Sequence, residues 1–295
     1  MRSSSQTIER HARHHDKNGK VIHPQQTITT LANISHPSRP GSEELVPSRY
    51  ALRIGDIEVL VVSDGVVTPP AESMATNADP AVRGAWLDDM FLSRDAFDWA
   101  LNAVVVRSGG RTILIDSGLG EEVPDFRRGG HLVHRLEAAG IDLSSVTDVV
   151  LTHMHFDHVG GLLVDGVKER LRPGLRIHVA GAEVDFWASP DFSRTAMGPV
   201  LSDVARRASK QFLDEYHGQL RPFEAEREVA PGVVVTRTGG HTPGHSVVHL
   251  ASRGDRLTFA ADALFPVSFD HPEWHNGFEH DPEEDDPRNS IQGQA

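Results

Sequence analysis

The segment LTHMHFDHVGG, residues 151–161, constrains this chain more than any other. Within six positions it places three histidines and one aspartate: His153, His155, Asp157 and His158. They follow an apolar run, VTDVVL, and precede two glycines. Such a run reads as a buried strand. A fold built on it must therefore carry imidazole and carboxylate groups at the end of a sheet strand. His153 and His155 are two apart, so extended backbone points both to one side. Asp157 continues that alternation, and His158 comes next as the chain turns. One loop thus offers ligands to two adjacent sites, and this donor set suits Zn²⁺, Fe or Mn. A surface cluster of polar residues is the alternative, and the neighbouring apolar run argues against it.

The chain has no cysteine. That removes disulfides, cysteine-type zinc sites and thiol nucleophiles, so any metal is held by His, Asp and Glu. The net charge is −13, and residues 1–48 carry six Lys/Arg against four Asp/Glu, which leaves the remainder at −15. A body this acidic repels phosphate backbones, so a small-molecule substrate is expected and nucleic acid is not. No apolar run has the length of a membrane span, and no membrane partner is expected. The first residues, MRSSSQTIERHARHH, lack the apolar centre of a secretory signal, so the chain is read as cytoplasmic.

Residues 1–48 show no strand or helix period and hold five of the eighteen histidines. They are expected as a disordered N-terminal tail, with a domain over 49–295 that becomes irregular over 281–295. Within the domain, IEVLVVSDG reads as a strand ending in a turn at Asp64–Gly65. NAVVVRSGGRTILIDSGLG reads as a hairpin turning at Gly109–Gly110 and running into a Gly-rich loop. VTDVVLTH, LRIHVAG, GVVVTRT, SVVHLAS and RLTFAAD read as strands. HLVHRLEAAG, AEVDFW and MGPVLSDVARRASKQFLDEY read as helical. Strands come both as hairpins and alternating with helices, which predicts an α/β fold of mixed sheets covered by helices.

Two later segments fit the same site. GGHTPGH places His241 in a loop directly after a strand, and LTFAAD places Asp262 at the end of another. Each is weak alone, because loop histidines are often solvated and strand-end aspartates often cap turns. With His153 they place three candidate ligands at strand ends, able to converge on one rim.

HMHFDH, then GGHTPGH and FAAD, with LIDSGLG upstream, resembles the metallo-β-lactamase superfamily over about residues 52–266. The order of segments is most similar to the lactonase and organophosphate (methyl parathion hydrolase-like) or aryl-ester hydrolase branch. The resemblance implies a four-layer αββα sandwich of two mixed β-sheets, with metals at one edge. It implies His153, His155 and His241 on a first ion, Asp157 and His158 on a second, and Asp262 between them. Asp116 resembles a carboxylate that orients a ligand histidine. His245 resembles a recurrent histidine that supports the loop. Two divalent ions are implied, zinc foremost, with Mn, Fe and Co as alternatives. The implied reaction is attack by a metal-activated hydroxide on an ester, lactone or phosphotriester, with Asp157 and Asp262 as catalytic groups. Thioester hydrolysis of the glyoxalase II type stays open. A homodimer is compatible with the resemblance.

The resemblance also implies one more histidine near the C-terminus. Only 33 residues lie beyond Asp262 in a chain of 295, and they end in EEDDPRNSIQGQA. The C-terminal part therefore reads as shortened and the second site as incomplete, with His271, His275 and His280 as replacement ligands or as solvated loop residues. Two other readings stand beside the hydrolase: a mononuclear iron oxidoreductase similar to persulfide dioxygenases, using His153, His241 and Asp262, and a non-catalytic remnant. Trp86, Phe91, Phe97, Trp99, Phe156, Phe265 and Trp274 are candidates to line an apolar pocket, with core packing as the alternative.

Overall fold

The computed structural model describes residues 47–120 and 126–281. The expected tail and the irregular end fall almost wholly outside the described residues. From Ser48 onward the chain forms one unit.

β-branched residues at alternating positions build the first sheet. Its strands are β1 (Arg49–Ile54), β2 (Ile57–Val67), β3 (Trp99–Ser108), β4 (Arg111–Ile115), β5 (Asp148–Val150), β6 (Arg176–Ala180) and β7 (Leu220–Phe223). They lie side by side in chain order. β1 to β4 pair antiparallel, and β4 to β7 pair parallel. The second sheet is antiparallel: β8 (Glu226–Ala230), β9 (Val233–Arg237), β10 (Ser246–Ser252) and β11 (Asp255–Phe259). One face of the first sheet, including Val104, Val106, Ile113 and Ile115, packs against Val233, Val235, Val248 and Leu250 of the second. The other face, including Val105, Leu114, Val149 and Ile177, packs under helices through Leu132, Leu136, Phe212 and Tyr216. The period of two thus sends alternate residues to two different cores. β5 is buried at every position, as a central parallel strand covered on both faces requires.

The helices obey their sequence signals. Those around the site and the sheets are α1 (Pro80–Asp89), α2 (Leu132–Ala138), α3 (Phe156–Val159), α4 (Val167–Arg170), α5 (Gly181–Ala188), α6 (Pro199–Tyr216) and α7 (Pro266–Asp270). In α6 the buried positions are Ser202, Ala205, Ser209, Phe212 and Tyr216, steps of three and four that keep one stripe on the sheet.

Two sheets with covering helices are therefore the architecture, as expected, but only the first sheet is mixed; the second, built of consecutive strands each folding back on the last, is antiparallel throughout. Three local expectations are corrected. Asp64–Gly65 does not end its strand: β2 continues to Val67 through a bulge, with Gly65 at φ +131°. A glycine in that conformation inserts a residue into the ladder without turning it. Asp157 does not continue an extended alternation, because the chain is already helical from Phe156. Asp262 does not close β11; it sits in a short 3₁₀ turn, Ala261–Ala263, three residues beyond Phe259, the strand's last residue. Among the described residues no helix is long and apolar enough to cross a membrane.

Candidate metal centre

β5 stops at Val150, and Asp116 shapes the loop beyond it. The Asp116 backbone N–H donates to Val150 O at 2.9 Å. Its carboxylate accepts from the Thr152 N–H and hydroxyl, both at 2.8 Å. Asp116 holds φ +57°, a left-handed conformation costing a non-glycine residue about 1 kcal/mol. That backbone aims the carboxylate back under the loop. His158 Nδ1 meets the same carboxylate at 2.9 Å. His158 therefore carries its proton on Nδ1 and leaves Nε2 facing the cluster.

The two glycines ending the motif have a steric reason. A Cβ on Gly161 would lie 1.9 Å from Ser117 O, and one on Gly160 would lie 2.0 Å from Leu119 O. The loop after β4 rests directly on the turn after the histidines, and only glycine permits that approach.

Three imidazole nitrogens from two loops converge. His155 Nδ1 lies 2.9 Å from His153 Nε2 and 3.0 Å from His241 Nε2. All three residues are buried. A proton on His155 Nδ1 can serve only one of its two neighbours. His155 Nε2 and His241 Nδ1 have no hydrogen-bond partner among the described residues. Burial pushes all three imidazoles well below their ordinary range, and neighbouring histidines push the same way. They are neutral at pH 7, with lone pairs to donate. Nitrogens about 2.0–2.1 Å from a tetrahedral ion stand roughly 3.3 Å apart, close to the spacing seen. The donor set fits a divalent metal.

Beside it, His153, His158 and Asp262 form a second group of potential ligands. Asp262 faces both groups. Its Oδ1 lies 3.5 Å from His158 Nε2 and its Oδ2 lies 3.5 Å from His241 Nε2. Asp157 Oδ2 is 3.8 Å from His158 Nε2. Burial pushes Asp157 up to about 6, against the pull of His158 and with the help of Asp262. Burial lowers His158, but Asp116, Asp262 and Asp157 outweigh it and raise its pKa.

The residues 97–288 match the metallo-beta-lactamase superfamily. The chain belongs to that superfamily. Two solved structures carry the likeness through most of the fold. The dizinc quorum-quenching lactonase AidC superposes with a TM-score of 0.74 at 25% identity, covering 82% of this chain and 84% of that one. The hydrolase AbOPH superposes with a TM-score of 0.70 at 25% identity, covering 83% and 84%. A hydroxyacylglutathione hydrolase of Bradyrhizobium sp. (strain ORS 278) is 31% identical over 145 residues, 48% of this chain and 42% of its own length. The chain spans 34% to 59% of the length of the curated relatives it matches.

In this superfamily member His245 stands behind the cluster: its Nδ1 meets Thr238 Oγ1 at 2.8 Å, and its ring centroid is 5.3 Å from that of His153. Among the described residues, His271, His275 and His280 join neither ligand group. His271 stacks on Trp274 with ring centroids 3.8 Å apart. His275 enters a backbone bond with Asn77. His280 is buried against Phe186 and Trp187, with its backbone N–H donating to His241 O at 3.0 Å.

A cavity of about 410 Å³ opens over the cluster, and His155, Asp157, His158, His241 and Asp262 form part of its wall. Of the expected aromatics, Phe97, Trp99, Phe156 and Phe265 line it. Trp86 and Trp274 do not; they pack edge to face at 6.4 Å in the small core behind Phe97 and Phe265. Phe91 points to solvent, 97% exposed. Sequence reasoning missed Phe126 and Phe278, which complete the wall. It also missed Glu183, fully buried beneath the histidine loops. The only signal for it was a lone acid within the apolar stretch AEVDFW.

Proposed function

We propose that this protein is a hydrolase of neutral, apolar esters, lactones or phosphotriesters, working with two divalent metal ions, zinc foremost. His153, His155 and His241 would hold the first ion and Asp157 and His158 the second, with Asp262 facing both groups. The observation carrying this reading is the pair of distances from Asp262, one oxygen toward each group. When bound, the ions supply Lewis acidity toward the attacked oxygen and acidify water to near neutrality. The chain's own residues do the rest. Asp116 fixes the tautomer of His158. Asp157 and Asp262 border the cavity and accept or return a proton at their carboxylate oxygens. Phe97, Trp99, Phe126 and Phe156 keep water from the substrate and receive its apolar portion.

The charge of the cavity narrows the substrate class. Among its described lining residues the acids are Asp98, Asp157 and Asp262, and none is Lys or Arg. Beyond the metal ions the site would hold, the described lining offers a polyanionic substrate no Lys or Arg to bind, and Asp98 is already paired with Arg128 at 2.8 Å. This favours neutral esters and lactones over glutathione thioesters and RNA. AidC, a dizinc lactonase by its description, supports the same direction.

The test is metal content by elemental analysis on tag-free protein, then turnover of a neutral lactone, an aryl ester, a phosphotriester and an anionic thioester. About two equivalents of a divalent metal with turnover of a neutral substrate is expected. Iron with oxygen uptake on a persulfide, or preference for the anionic thioester, would overturn the reading.

A further inference from the structure

Glu183 lies in the first turn of α5, outside every ligand group, yet its carboxylate is fully buried. A buried carboxylate is costly unless its lone pairs are used. Here four donors use them. Oε1 accepts from Met154 N–H at 2.8 Å and from Trp187 Nε1–H at 2.6 Å. Oε2 accepts from Thr242 Oγ1–H at 2.7 Å and from Gly244 N–H at 2.8 Å. Met154 stands between His153 and His155. Thr242 comes directly after His241, and Gly244 precedes His245. One carboxylate therefore grips both histidine loops, one with each oxygen. Trp187, one turn further along α5, places its ring edge-on to His155 at 5.5 Å. The grip is close: a Cβ on Gly244 would lie 2.3 Å from the Glu183 nitrogen.

We propose that Glu183 is a positioning residue that sets the spacing between the His153–His155 loop and the His241 loop, and with it the affinity of the three-nitrogen site for metal. Between these loops the structure offers only one direct backbone bond among the described residues, Ser246 N–H to Thr152 O at 2.9 Å. Beside that bond and the 3.0 Å contact of His155 with His241, Glu183 supplies three hydrogen bonds to the two loops, one to the first and two to the second. Glutamine replaces it poorly: one flip turns its NH₂ toward the Met154 and Trp187 N–H groups, and the other toward the Gly244 N–H, although the Thr242 hydroxyl can rotate to accept. The inference rests on the proposed metal site.

The experiment measures Zn²⁺ affinity of the full chain by competition with a chromophoric chelator, alongside the melting temperature of the metal-free protein. Glu183→Gln is expected to weaken Zn²⁺ binding about 10–100-fold. Thr242→Val, which removes one of the four donors and keeps the side-chain shape, is expected to give a smaller loss in the same direction. Asp148→Asn, at the opposite end of β5, serves as the control for general destabilisation and is expected to lower the melting temperature while leaving Zn²⁺ affinity unchanged. A folded Glu183→Gln variant binding within about twofold of wild type overturns the proposal. If that variant does not fold, unchanged affinity in Thr242→Val overturns it instead. A loss in Asp148→Asn equal to that in Glu183→Gln also overturns it, since the effect would then be general. Wild-type protein that binds no Zn²⁺ refutes the metal site, and this inference with it; intact wild-type binding with unaffected variants refutes this inference alone.

Discussion

Strand β5 has a buried polar cluster at each end, and the two are balanced in opposite ways. At its start Asp148 is fully buried. Arg111 Nε lies 2.7 Å from it, Arg176 Nε 3.1 Å, His178 Nε2 2.8 Å and Thr147 Oγ1 2.7 Å. Burial pushes its carboxyl up, but His178, Arg111 and Thr147 outweigh it and hold the group well below the usual carboxylate range. Past its other end, three imidazole nitrogens face one another with no cation of the protein between them. The chain balances one cluster entirely with its own side chains. It leaves the lone pairs of the other cluster facing one another. Burying polar groups is costly at both ends, so the unbalanced end is the one that marks function.

The largest effect that could break this comparison is His153→Ala. His153 belongs to both ligand groups. Its loss should reduce bound metal below one equivalent and abolish turnover while the fold remains, as elemental analysis and circular dichroism will show. Retention of two equivalents would mean that the histidines are not the ligands.

Asp148→Asn should do the reverse. Metal content stays, and stability falls by about 2–3 kcal/mol, moderated because Arg111 and Arg176 reach solvent. The pH dependence sharpens the contrast. Asp148 has a depressed carboxyl in the folded state, so its stabilisation is fully present above the ordinary aspartate value of about 4 and fades as pH falls below it. Chemical denaturation of metal-free protein should therefore find wild type well above the variant at pH 6, with the gap narrowing below about pH 4. A gap that stays constant into acid would remove Asp148 as its source.

The smallest effect belongs to His271→Ala. The ring stacks on Trp274 away from both ligand groups, so metal content should not change and stability should move by roughly 0.5 kcal/mol or less. Loss of one metal equivalent would extend the site into the C-terminal segment.

The fold was legible where periodicity was strong. The Gly109–Gly110 hairpin appears as expected, with φ +54° and +74° at the two glycines, the conformation such a two-residue turn demands. α6 was legible from its stripe. β7 and β8 were not, because LRPF and EREVA are short and carry charge at exposed positions. α1 had a signal that went unused: Asp79 before Pro80 is an N-cap before a proline at the first helical position. Asp79 duly accepts from Ala81 N–H at 2.8 Å and Val82 N–H at 3.2 Å. At the site, the histidines and aspartates were legible as residue types at strand ends. Glu183 was not, because its role depends on two loops far apart in sequence meeting over one helix turn, and no local spacing encodes that.

The order of the strands has a bearing on how the site is shared. Each of β2 to β7 lies beside the strand that precedes it in the chain. His153, His155 and His158 follow β5 of that sheet. His241 and Asp262 come after strands of the second sheet. The three-nitrogen site therefore has no existence until the two sheets have docked. The ligand set is thus shared between the sheets, and the lone pairs past the end of β5 find their full complement only where both sheets contribute.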